Sequence, residues 1–235
     1  MFFKTLCGQW GLINFVAVVV SIFQNPTFYL NVIAFTFFSI SANVPLIDLT
    51  FALSATSVSF ATTFTLMKGS VQSIANKYGV DRIHYGVIVF GSVATKHIDF
   101  ATNIPNRDEL VREVSQIPVE EGKPDLVLAL QEAKRVFEMK EVRPNAKKVL
   151  VVILDNAYVG NRTDLNRVVQ VLVKKNVTII GVGVGSLINS TDLEIITEEI
   201  RNIITVGIGE KPDVLAEEIM RIILRSKLIL RSIIG

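Results

Sequence analysis

Two periods of apolar residues alternate along this chain. Short continuous runs, such as Tyr-Gly-Val-Ile-Val-Phe at 85–90 and Val-Leu-Val-Val-Ile-Leu at 149–154, suit strands covered on both faces. Between them lie segments with apolar residues at helical spacing, clearest at Leu126, Ala129, Leu130, Ala133 and Val136. The pattern predicts strands at 46–53, 82–90, 94–100, 148–154, 177–183 and 203–206. It predicts helices at 60–78, 107–115, 125–137, 163–175, 191–199 and 212–225. Alternating strands and helices imply an α/β fold: a doubly wound, mostly parallel, Rossmann-like sheet with helices on both faces. The exception is 94–100, which follows the turn Gly91-Ser92-Val93 closely enough to pair antiparallel as a short edge strand.

In such sheets ligands bind beyond the carboxyl ends of the strands. That places the hydroxyl-rich loop Ser54–Ser59 and Asp155 on one edge, each after a central strand. The loop from Glu120 to Asp125 opens a helix and reaches the same edge. Thr56, Ser57 and Ser59 are suited to cap the helix that follows them, and Asp125 to cap its own.

The first part of the chain follows another rule. Lys4 is the only charge before Asp48, and the apolar runs Leu12–Phe23 and Phe28–Ile40 are split by Gln24-Asn25-Pro26-Thr27. A basic start before an apolar run reads as a secretory leader, with small residues for cleavage at Ser39–Ala42; a retained signal-anchor and a buried hydrophobic extension are the alternatives. The division expected is 1–43 leader or anchor, 44–228 folded domain and 229–235 tail. Cys7 is the single cysteine and lies in the leader, so a mature domain has neither a disulfide framework nor a thiolate metal site. Net charge is +2 with both signs interspersed, which argues against nucleic acid as a partner.

Several segments together resemble a von Willebrand factor type A domain. They are the first strand, Val-Ile-Val-Phe-Gly at 87–91, Ala-Leu-Gln-Glu-Ala-Lys-Arg-Val-Phe at 129–137, Val-Leu-Val-Val-Ile-Leu-Asp at 149–155, and Ile-Ile-Gly-Val-Gly-Val-Gly at 179–185. The resemblance covers roughly Pro45 to Arg225 and is closest in flavour to the A domains of matrilins and collagens. It implies a metal-ion-dependent adhesion site in which one loop supplies an aspartate and two serines, a second a threonine and a third an aspartate. In this chain the first aspartate position is Ser54. The serine positions fall on Thr56 and Val58, or on Ser57 and Ser59 after a one-residue slip. The threonine position is Pro124 or Lys123. Only Asp155 matches outright, so Asp155, Thr56 and Ser54 form a degenerate ligand set, to which at most weak Mg2+ binding is expected.

Other motifs add little chemistry. Gly181-Val-Gly-Val-Gly185 lies in a late strand and lacks dinucleotide-fingerprint spacing. His84 and His97, on neighbouring strands, have no acidic or cysteine cluster to make them ligands or bases, and no catalytic constellation is apparent. Asn161, Asn176 and Asn189 each begin an Asn-x-Ser/Thr acceptor sequence for N-glycosylation. Arg221, Arg225, Lys227 and Arg231 read as the solvated face of the last core helix. The expectation is a non-enzymatic extracellular protein-binding module in cell adhesion or matrix assembly. Its partner would be collagen or another matrix component, with membrane contact only through the N-terminal segment. A structural spacer and a membrane-tethered domain are the alternatives.

Overall fold

The computed structural model describes residues 44–55, 60–119, 122–188, 190–197 and 199–234. The proposed leader, Thr56 and Asn189 lie outside them.

Six strands form one sheet. They are β1 (Ile47–Ser54), β2 (Ile83–Phe90), β3 (Ala94–Ile98), β4 (Lys147–Leu154), β5 (Val177–Val184) and β6 (Ile203–Val206). The spatial order is β3-β2-β1-β4-β5-β6, with every pairing parallel except β2 with β3. The helices are α1 (Phe60–Tyr78), α2 (Arg107–Gln116), α3 (Leu126–Phe137), α4 (Arg162–Lys174), α5 (Ser190–Glu194) and α6 (Pro212–Ile234).

Strand alternation divides the core into two layers. Leu49, Phe51 and Leu53 of β1 join Val149, Val151 and Ile153 of β4 against α1, α2 and α6. Ala52, Ile88, Leu150 and Val152 face the other way, against α3, α4 and α5. Since β1 has a strand on each side and helices on each face, all eight of its residues are buried. This is why the central strands read as unbroken apolar runs instead of alternating ones. On β5, Gly181 and Gly183 leave room for Leu193 and Ile188 to pack down on the sheet.

Two helices depart from the periodicity. The helix expected at 191–199 is only α5, followed by a short 3-10 turn at Ile200–Asn202 before β6. The last helix, expected to stop at Arg225, continues to Ile234, because Ser226 to Ile234 holds no glycine or proline to end it. Lys147 ties α6 to the sheet by donating to the Ile223 carbonyl at 2.7 Å.

Candidate functional site

The parallel register of β1 and β4, with Leu53 opposite Ile153, brings Ser54 at the end of β1 beside Asp155 just past β4. Ser54 Oγ donates a hydrogen bond of 2.7 Å to Asp155 Oδ1. Both side chains are buried, at 2% and 5% exposure, so this contact is shielded from competing water. The backbone beside it is fixed by Ala55 N–H donating to the Phe90 carbonyl at 2.9 Å.

Two further loops lie at the same edge of the sheet. Gly122 adopts φ +102°, where L side chains are strained, and a Cβ there would lie 2.8 Å from Ser92 Oγ. Asp125 N–H donates to the Gly91 carbonyl at 2.8 Å, stitching this loop to the β2–β3 turn. The Asp125 carboxylate accepts from Val127 and Leu128 N–H, the capping role expected of it. On the other side Asn161 caps α4 by accepting from Thr163 N–H at 2.9 Å. The Tyr158 hydroxyl donates to the Asn161 carbonyl at 3.2 Å, and its ring lies over Gly160, where a Cβ would collide with it. Burial, followed by the charges of Asp125 and Asp164, pushes the Tyr158 hydroxyl pKa up.

Between these loops lies an open cleft of about 610 Å³, lined by Ser92, Lys123, Asp125, Tyr158, Val159 and Asn161 among others. Val93, Val159, Leu187 and Ile208, in the loops that follow β2, β4, β5 and β6, are all at least half exposed. The carboxyl edge of the sheet therefore combines a buried polar centre with an exposed apolar rim.

A magnesium ion wants about six oxygen ligands in near-octahedral array. Among the described residues, the positions aligned with metal ligands offer one carboxylate and one hydroxyl, already hydrogen-bonded to each other. Lys123 and Pro124 bring no hydroxyl, and Asp125 is engaged at its helix. No three His, Cys, Asp or Glu side chains among the described residues gather as a metal cluster. The described donors alone are too few to complete such an array. Of the remaining predicted positions, Asn161 and Asn176 are exposed, the latter in the left-handed conformation (φ +59°) just after α4.

A second polar centre, absent from the sequence reading, lies at the opposite edge. Asp48 is fully buried and accepts from Arg143 N–H and Nε, each at 2.8 Å. Arg143 also donates to the carbonyls of Ile47 and Arg82. His84 Nδ1 lies 3.8 Å from Asp48 Oδ1, and its ring is 6.3 Å from that of Phe100. Burial, then the Arg143 charge, lowers the His84 pKa, opposed by Asp48. The signal in the sequence was a lone aspartate at the head of an apolar strand, which must be paired if buried.

The model of the von Willebrand factor type A domain matches residues 48–214. The chain belongs to the von Willebrand factor type A family. Domains of this family are typically non-enzymatic modules that bind other proteins. Solved structures with the same fold include proximal thread matrix protein 1 from the mussel byssus, at 16% identity and TM-score 0.66, covering 74% of this chain and 46% of that one. Another structure of the mussel protein, with zinc in its adhesion motif, matches at 19% identity and TM-score 0.65 over 76% and 46%. A von Willebrand factor type A protein from Catenulispora acidiphila matches at 16% and TM-score 0.61, over 76% and 42%. The chain thus spans less than half the length of each of these proteins, and at such identities the likeness is one of fold. No helix among the described residues is long and apolar enough to cross a membrane.

Proposed function

We propose that this A domain binds another extracellular protein through the carboxyl edge of its sheet, with weak or no dependence on a metal. The observation that carries this reading is the buried Ser54–Asp155 hydrogen bond. In the family's metal site a carboxylate stands where Ser54 stands. Here the hydroxyl satisfies Asp155 directly, and the edge needs no cation to offset two facing carboxylates. The apolar rim of Val93, Val159, Leu187 and Ile208 supports contact by burial of apolar area, which requires no metal bridge. The setting we infer is adhesion or matrix assembly, with collagen or another matrix component as partner. The apolar 1–43 segment then serves as export leader or as membrane anchor, and Asn161, Asn176 and Asn189 as glycan acceptors. The matrix origin of the mussel protein is in keeping with that setting.

The test is surface plasmon resonance of the protein over immobilised collagens and cell-derived matrix, in magnesium and in EDTA. Binding of similar strength in both buffers is expected. Binding abolished by EDTA would refute metal independence, and indifference to every matrix component would leave a structural spacer as the better reading.

A further inference from the structure

We propose that Asn161 is the glycan acceptor that opens or closes the carboxyl edge: a sugar chain on Asn161 covers the cleft, while one on Asn176 leaves it open. This rests on the extracellular reading above and adds how that edge is regulated. The two acceptor sequences stand at opposite ends of α4. Asn161 directly precedes the helix and lines the cleft, with Val159, 69% exposed, two residues away. Asn176 lies past the other end of the helix and directly precedes Val177, which pairs with Lys148 near the start of β4. It therefore belongs to the amino edge of the sheet. The 13 residues of α4 set the two asparagines about 20 Å apart, at a rise of about 1.5 Å per residue.

The helix start also leaves the reacting atom of Asn161 available. Its Oδ1 accepts from Thr163 N–H at 2.9 Å, which fixes the side chain, and among the described residues its Nδ2 makes no hydrogen bond. Asn161 and Thr163, the two residues that define the acceptor sequence, are both exposed. A glycan bonds to the amide nitrogen of asparagine. In the transfer, Nδ2 attacks the anomeric carbon of a lipid-diphosphate-linked oligosaccharide. The C–N bond forms, the anomeric C–O bond breaks, the lipid diphosphate leaves, and a base takes one amide proton. The modified amide keeps Oδ1, so α4 keeps its cap. A branched oligosaccharide anchored on the wall of the cleft is bulky enough to sweep across its mouth and the exposed Val159 beside it.

The experiment uses the full chain made in secreting animal cells, in a background of Cys7→Ser, Asn189→Gln and Val159→Cys, so that one thiol reports on the edge. Glycan release by peptide N-glycosidase in heavy-oxygen water marks each occupied asparagine for mass spectrometry. Labelling of the thiol with a polyethylene-glycol maleimide measures access to the cleft. Asn161 should be occupied. Thr163→Ala removes the acceptor sequence while the Asn161 cap stays, and should label several-fold faster. Enzymatic release of the glycans should give the same acceleration, since the carboxylate it leaves still caps α4. Thr178→Val, which removes the acceptor sequence at Asn176, should leave the rate unchanged.

An unoccupied Asn161 overturns the proposal. So does a labelling rate that Thr163→Ala leaves unchanged, or that Thr178→Val raises as much. Matrix binding by the same preparations, without the Val159→Cys change, keeps the two readings apart. If Thr163→Ala opens the cleft to label and the protein still binds no matrix component, the regulation stands and the edge fails as a binding surface. If the glycosylated chain and Thr163→Ala bind matrix equally well, the edge stands and the regulation is overturned.

Discussion

Ser54 shows how one side chain sets the chemistry of an edge. Its hydroxyl gives Asp155 a buried donor, so Ser54→Ala should cost about 1–3 kcal/mol, read from denaturant unfolding, because it removes that donor inside the protein. Ser54→Asp should destabilise the metal-free protein by setting two carboxylates together. Paired with a threonine in place of Pro124, it should create a magnesium response: the thermal midpoint rises with added Mg2+, whereas that of the parent barely moves. A double variant indifferent to Mg2+ would undo the alignment of these loops with the family's ligand positions. At the other edge, Arg143→Met leaves the buried Asp48 carboxylate without its cation and should cost about 3–5 kcal/mol, the usual penalty for breaking a buried pair.

At the scale of elements, the carboxyl edge depends on how helices start. Asp125 accepts two α3 N–H groups, so Asp125→Ala should cost about 1 kcal/mol, whereas Asp125→Asn keeps the cap and should be nearly silent. A silent Asp125→Ala would mean the helix start is held by the Asp125 N–H to Gly91 bond alone. Gly122→Ala combines a positive φ with contact against Ser92, and should lower stability by roughly 1–2 kcal/mol or displace the loop from the β2–β3 turn. Urea melts of these three variants distinguish capping from loop strain. The long α6 follows the same logic in reverse: lacking a terminating glycine or proline, it runs to Ile234.

For the molecule as a whole, the sheet holds two polar centres at opposite ends of a nearly continuous apolar core. The centre that holds His84 is sensitive to pH. His84 is held below the usual imidazole range by burial and Arg143, with Asp48 opposing. The unfolded chain therefore takes up a proton at His84 before the folded one does. Its contribution to stability is complete above about pH 6.5 and is lost as pH falls through the lower folded value. Thermal midpoints should decline across that window, and His84→Gln should flatten the decline. An unchanged slope in the variant would assign the acid sensitivity to carboxylates instead.

The sequence by itself determined the alternation of strands and helices, the antiparallel edge strand, the family and the edge on which ligand-type loops converge. These are legible because burial on two faces demands unbroken apolar runs, and burial on one face demands helical spacing. The early stop given to α6 overlooked the lack of any terminating glycine or proline up to Ile234, and the helix expected at 191–199 is shorter than its spacing implied. Ser54 and Asp155 could be named from the sequence as candidate site positions at one edge of the sheet. Their direct hydrogen bond was decided by the register of β1 on β4. The tertiary structure alone brought Arg143 to Asp48, 95 positions apart. Pairings between distant side chains leave no period in a sequence, because only the packed fold sets the distance between them.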